Sequence, residues 1–196
     1  MNPRTASITR RTRETSIQCA LTLDGQGLAD VRSGIGFLDH MLSALACHAG
    51  IDLTLACEGD LHIDDHHTAE DCAIAVGEAL DAALGDRAAI ARFGAAYAPL
   101  DEALARTVVD LVRRPCAVID LGLTRERVGD LSCENIPHFF TSLAMNARFT
   151  LHVDVLRGCN DHHRAEAAFK SMALALRQAI APRDASRGVP STKGTL

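Results

Sequence analysis

Asp64-Asp65-His66-His67-Thr68-Ala69-Glu70 and Asn160-Asp161-His162-His163-Arg164-Ala165-Glu166 are two copies of one motif, and their reading decides the fold. Each is preceded by a lone histidine in an otherwise apolar stretch. In the first half this is Asp39-His40-Met41-Leu42-Ser43-Ala44-Leu45, in the second Pro137-His138-Phe139-Phe140-Thr141-Ser142-Leu143. Single histidine, short strand, then His-His-x-x-Glu recurs in the same order at nearly the same spacing, which identifies an internal duplication.

Working outward, the first half predicts strands near Ala6–Thr12, Ser16–Leu23 and Leu28–Arg32. A helix near Phe37–His48, a strand at Asp52–Cys57 and a long helix at Asp65–Leu84 follow. The second half predicts strands near Arg92–Ala98, Ala103–Val112 and Cys116–Asp120. Then come a helix near Ile136–Asn146, a strand at Thr150–Leu156 and a helix at Asp161–Ile180. The chain therefore reads as α+β, two tandem β-β-β-α-β-α units, each a four-stranded sheet with helices on one face. Cys72, Val76, Ala79, Leu80 and Ala83 form one apolar helical stripe, and Phe169, Met172, Ala173, Leu176 and Ile180 another. These stripes are expected to pack the helices of the two units together, with Gly85–Ile90 as a connection rather than a flexible linker. The domain expectation is one unit over 1–196, made of repeats at about 1–87 and 88–182 with a tail at 183–196.

Of the 196 residues 47% are hydrophobic and 23% charged, an ordinary globular composition. No apolar run approaches the roughly 18 residues of a membrane span. Arg4, Arg10, Arg11 and Arg13 are not followed by an apolar segment, so no secretory signal is expected. The net charge of −5 and scattered basic residues argue against nucleic acid as a partner. Seven cysteines without a C-x-x-C pair suit a reducing cytoplasm.

On a helix His66 and Glu70 share a face, as do His162 and Glu166, so each pair can reach one divalent ion. His67 and His163 point about 100° away, toward a different ion or subunit. His40 and His138 add one nitrogen each, making eight candidate ligands, enough for two sites of three His and one Glu. Asp64, Asp65 and Asp161 are expected to cap the helix starts. His48, His62 and His152 lack duplicated partners and are read as ordinary residues. A dinuclear phosphoesterase and a non-catalytic metal-storage protein are the competing readings. Ser33-Gly34-Ile35-Gly36 fits no nucleotide-binding fingerprint.

Four motifs in chain order are similar to the imidazoleglycerol-phosphate dehydratase family. They are Gly36-Phe37-Leu38-Asp39-His40-Met41, Asp64 to Asp71, Asn160-Asp161-His162-His163 with Glu166-Ala167-Ala168-Phe169-Lys170, and Pro190-Ser191-Thr192-Lys193-Gly194. The resemblance implies a fold of the ribosomal protein S5 domain 2-like type and a cytoplasmic hydro-lyase of histidine biosynthesis. It implies two Mn(II) ions per site and a large octahedral homo-oligomer with active sites between subunits. It further implies dehydration of D-erythro-imidazoleglycerol phosphate to imidazoleacetol phosphate, with the ring held as an imidazolate between two ions.

By the same resemblance one ion takes His66, Glu70, His138 and His163, the other His40, His67, His162 and Glu166. Helix spacing leaves this partition open, because His66 and His67 both lie within reach of Glu70. Arg92, Arg114, Lys170, Ser191 and Lys193 are implied as phosphate ligands, and the tail as a phosphate-binding segment. Glu14 is implied as the general acid/base, with Glu70 and Glu166 as alternatives. The chain departs from the family where Ser43-Ala44 replace an acidic residue and glutamine, which puts fine substrate positioning in question.

Overall fold

In a computed structural model, the chain is described for residues 4–184 and 189–194, so part of the 183–196 tail lies outside the described residues. The first repeat runs β1 (Thr5–Arg11), β2 (Thr15–Thr22), β3 (Ala29–Arg32), α1 (Gly36–Ala49), β4 (Asp52–Gly59) and α2 (His66–Leu84). The second runs β5 (Phe93–Leu100), β6 (Ala103–Asp110), β7 (Cys116–Asp120), β8 (Arg127–Val128), β9 (Leu131–Ser132), α3 (Asn135–Asn146), β10 (Thr150–Arg157) and α4 (Asp161–Ile180). The expected α+β duplication is present. The sheet orders, β1-β2-β4-β3 and β5-β6-β10-β7, are the same in both repeats. In each, the edge strand before the short helix runs parallel to the strand after it, and the other pairs are antiparallel.

Alternation decides which face of each sheet is covered. In β2, Ile17, Cys19 and Leu21 are buried while Gln18 and Ala20 are exposed. In β6, Ala103, Ala105, Thr107 and Val109 are buried. The inner faces meet the helices, which form the middle layer. There α2 packs on α3 and α1 on α4, so each long helix lies against the short helix of the other repeat. Both apolar stripes are buried in this layer. Small residues let the layer close tightly. A Cβ on Gly77 would stand 2.9 Å from the Leu143 carbonyl oxygen and from the Asn146 Cβ across the α2–α3 crossing. Among the described residues no helix is long and apolar enough to cross a membrane.

The repeat junction is tied down by one side chain. Arg87 is buried, and its guanidinium donates to Asp81 Oδ1 (2.5 Å) and to the carbonyls of Ala147 (2.6 Å), Arg148 (2.8 Å) and Leu111 (3.0 Å). One side chain thus ties the end of α2 to the turn after α3 and the end of β6.

The repeats differ at the β8–β9 hairpin, for which the sequence offers no periodicity because its strands are two residues long. The expected capping roles of Asp65 and Asp161 are corrected here. Asp65 is buried and accepts from the Ser132 amide (2.6 Å), the Ser132 hydroxyl (2.7 Å), Asn135 Nδ2 (3.0 Å) and Arg127 (3.1 Å). Asp161 Oδ2 holds the loop before the hairpin through the amides of Arg125 (2.6 Å) and Thr124 (2.8 Å). The helix-start amides go elsewhere: Asp64 accepts from the His66 amide and Asn160 from the His162 amide, both at 2.9 Å. Asp130, from the hairpin turn, accepts from the Gly36 (2.7 Å) and Phe37 (3.1 Å) amides and so caps α1, whose Ile35 cap position offers no side-chain acceptor. The hairpin is pinned between the starts of α1 and α2.

Burial pulls the Asp65, Asp130 and Asp161 carboxyls upward. The amides of Ser132, of Gly36 and Phe37, and of Arg125 and Thr124 respectively outweigh it and leave all three below the usual range. The stability they contribute is therefore full above the ordinary carboxylate pKa of about 4 and lost as pH falls through their lowered values. Asp65→Ala strands several buried donors and is expected to cost about 3 kcal/mol in denaturant titration at neutral pH. A loss below about 0.5 kcal/mol would show that the clamp contributes nothing measurable.

Candidate metal centres at the helix starts

Because long and short helices pack across the repeats, their histidines meet across the repeats as well. His66 and Glu70 on α2 face His138 on α3, and His162 and Glu166 on α4 face His40 on α1. In each trio one ligand atom per residue lies within 4.8 Å of the others. In the first cluster Glu70 Oε1 is 3.1 Å from His138 Nε2, and Oε2 is 3.9 Å from His66 Nε2. The His66 and His138 rings stack at 4.9 Å between centroids. In the second, Glu166 Oε2 is 3.2 Å from His162 Nε2 and 3.3 Å from His40 Nε2.

Two donors each about 2.1 Å from one ion stand roughly 3 Å apart, so these separations suit a shared first-row divalent cation. His138 Nε2 supplies a second indication. It is buried and has no hydrogen-bond partner among the described residues, although Glu70 Oε1 lies close by. A nitrogen and a carboxylate that converge without a hydrogen bond fit a common ion. Two imidazoles and one carboxylate form a donor set that Mn, Fe, Co, Ni and Zn all accept.

His67 and His163 stand outside both trios. His67 Nδ1 lies 3.0 Å from Asp60 Oδ2, and its Nε2 is 3.8 Å from Glu14 Oε1. His163 Nδ1 lies 2.7 Å from Glu102 Oε2, and its Nε2 is 3.8 Å from Asp101 Oδ2. The bonds to Asp60 and to Glu102 are the leading causes that raise the two histidine pKa values above the usual one. Glu102 is held well below the carboxylate range, first by His163 and then by the Asn160 and Cys159 amides. Glu14 sits in the β1–β2 turn, half exposed, beside His67 rather than paired with Arg13.

The candidate phosphate ligands divide. Lys170 Nζ is 2.7 Å from Glu166 Oε1, next to the second cluster. Burial raises the Glu166 carboxyl, but Lys170 and then His40 outweigh it and leave it lowered. Arg92 instead pairs with Asp110 (2.7 Å) and donates to the Pro190 carbonyl (2.7 Å), which brings it to the tail turn carrying Ser191 and Lys193. The Ser191 hydroxyl accepts from the Lys193 amide at 3.2 Å. Arg114 is exposed just before β7, at the same end of the second sheet, where Phe93, Asp110, Thr150 and Cys116 form one row. The Arg92 amide bonds the Ala179 carbonyl, so its backbone lies about 25 Å along α4 from His162. Ser43 donates its hydroxyl to the Asp39 carbonyl at 2.7 Å and is turned back onto its own helix.

The sequence reading missed Asn135, whose Oδ1 lies 2.8 Å from His66 Nδ1 while its Nδ2 is held by Asp65. It also missed Asp60 and Glu102. For Glu102 a signal existed: aligning the repeats at the starts of β2 and β6 sets it opposite Glu14.

Fold and clusters together define a duplicated α+β protein with two candidate metal-binding clusters and one further histidine per repeat outside them. The model of the family described as imidazoleglycerol-phosphate dehydratase matches residues 33–176. A relative of that name from Phytophthora nicotianae is 63% identical over 98% of this chain, which spans 42% of that relative's length. Another of that name, from Pyricularia oryzae, is 53% identical with 100% of this chain and 98% of the relative covered. The solved imidazoleglycerol-phosphate dehydratase of Staphylococcus aureus superposes with a TM-score of 0.82 at 35% identity, covering 91% of this chain and 99% of that one. The structure titled IGPD from Pyrococcus furiosus, in complex with (S)-C348, gives 0.83 at 35% identity, covering 96% and 100%. The chain belongs to the imidazoleglycerol-phosphate dehydratase family, enzymes of the hydro-lyase class.

Glu70→Ala is expected to abolish tight divalent-ion binding at the first cluster and spare the second, halving the stoichiometry in a calorimetric Mn(II) titration. Unchanged stoichiometry would remove Glu70 from the ligand set.

Proposed function

We propose that this chain dehydrates imidazoleglycerol phosphate to imidazoleacetol phosphate in histidine biosynthesis, using two divalent ions, Mn(II) foremost, at sites completed between copies of itself. The observation that carries this reading is the pair of trios, each with two histidines and one glutamate, beside two histidines that join neither trio and are held by Asp60 and Glu102. His163 would complete the first trio of a neighbouring copy, and His67 the second. Because His67 adjoins His66 and His163 adjoins His162, this exchange sets one ion from each copy side by side at one interface.

The phosphate end gives independent support. Five bonds of substrate reach roughly 7 Å, whereas Arg92 and the tail turn lie far down α4 from the clusters of their own chain. One substrate can touch both only if they come from different copies. We read the chain as one domain of two repeats, about 1–87 and 88–182, with the 183–196 tail serving phosphate. Arg92, Arg114, Lys170, Ser191 and Lys193 supply cationic and hydroxyl contacts to it.

The chemistry explains the need for two sites. The carbon that loses its hydrogen adjoins no carbonyl, so the imidazole ring is the available electron reservoir. When bound, the ions would stabilise negative charge on both ring nitrogens as Lewis acids. The hydroxyl next to the ring leaves as water by taking up the proton the ring nitrogen has released, and the neighbouring carbon gives up its proton to form an enol. A proton placed on the ring-side carbon, with the enol O–H proton passing back to the ring nitrogen, gives the ketone. In this reading Glu14, 3.8 Å from His67 Nε2, accepts the first proton and returns one to the second carbon.

Dehydratase activity on imidazoleglycerol phosphate is expected to disappear on chelation and return with Mn(II); absence of turnover by fully loaded protein would overturn the assignment. Glu14→Gln is expected to lower kcat about 100- to 10,000-fold with metal content unchanged. Retention of kcat in that variant would move the proton-transfer role to another carboxylate.

A further inference from the structure

We propose that Glu102, and with it Asp60, are positioning residues that fix the tautomer of the two histidines outside the trios and so decide whether a second copy can complete a metal site. The inference rests on the reading of His163 and His67 as ligands for a neighbouring copy.

A carboxylate can only accept a hydrogen bond. With Glu102 Oε2 2.7 Å from His163 Nδ1, the ring proton resides on Nδ1 and the Nε2 lone pair is left unprotonated, 3.8 Å from Asp101 Oδ2 at the rim of the chain. Glu102 has no freedom to turn, because its Oε1 accepts from the amides of Cys159 (3.0 Å) and Asn160 (2.9 Å). Those amides precede α4, so one side chain sets both the start of the helix and the ring it carries. At the other histidine, Asp60 Oδ2 lies 3.0 Å from His67 Nδ1 with the same consequence.

The two carboxylates are not copies of one another. Asp60 lies in the β4–α2 connection and Glu102 in the β5–β6 turn, places that do not correspond between the repeats. The duplicated unit therefore meets one requirement, Nδ1–H with Nε2 free, by two separate routes. Shared ancestry of the halves does not account for that, whereas a demand on the histidines does. An imidazole so backed is also a stronger base toward a metal ion.

Glu102→Gln keeps the size of the side chain and inverts its chemistry. If the carboxamide oxygen serves the Cys159 and Asn160 amides, its NH2 faces His163 Nδ1, and the ring proton moves to Nε2 and blocks ligation. In metal-free protein labelled with 15N-histidine, wild type is expected to show His163 protonated at Nδ1 and the variant at Nε2. In an EPR titration with Mn(II), one class of site should weaken about 10- to 100-fold while the other is unchanged. By sedimentation, Mn(II)-driven assembly should require correspondingly more metal.

His163→Ala separates this idea from the reading beneath it. If His163→Ala leaves Mn(II) affinity and assembly unchanged, His163 is no ligand and both fall. If His163→Ala weakens binding while Glu102→Gln leaves affinity and tautomer as in wild type, the orienting role alone is overturned. Should metal-free Glu102→Gln fail to fold by circular dichroism, Asp60→Ala carries the test at His67. Weakening of the other site class supports the proposal, and unchanged affinity overturns it.

Discussion

Successive residues on an α-helix point about 100° apart, so the two histidines of a His-His pair cannot both turn toward one ion held on that helix. This constraint governs the molecule. At the start of α2, His66 joins Glu70 while His67 faces Asp60 and Glu14; at the start of α4, His162 joins Glu166 while His163 faces Glu102. Each chain therefore carries two candidate trios and two histidines outside them. Everything proposed about assembly follows from matching those two histidines of one copy to the trios of another.

Packing determines which residues make up a trio. Had each repeat folded on itself, His40 would have met His66, and His138 would have met His162. The long helix of each repeat instead lies on the short helix of the other, with Gly77 allowing the close α2–α3 approach. The β8–β9 hairpin then fixes the helix starts through Asp65 and Asp130 and, by way of Asn135, orients His66. A device present in one repeat only thus braces a site built from both.

The architecture was legible because it rests on patterns that are local in sequence. Alternation in β2 and β6, helical stripes through Cys72–Ala83 and Phe169–Ile180, and the doubled motif specify elements and their order without tertiary information. The hairpin was not legible, since two-residue strands carry no period. The clamping role of Asp65 and Asp161 was hidden for a different reason. An aspartate before a helix looks like a cap, and only the folded chain shows that Ser132, Asn135, Thr124 and Arg125 compete for it. The six histidines and glutamates that meet in the two trios stood out through repetition, but their grouping did not, because it depends on which helices pack together. The same limit hid the distance between Arg92 and the clusters, which the 20-residue α4 imposes.

The most direct test of the central claim is a structure of the Mn(II)-loaded protein in its assembled form. The account predicts that each ion is bound by three residues of one chain and one histidine of another. His163 would complete the His66, Glu70 and His138 trio, and His67 the His40, His162 and Glu166 trio, with neighbouring ions at a shared interface. Ions ligated by a single chain, with His67 and His163 facing solvent, would contradict it.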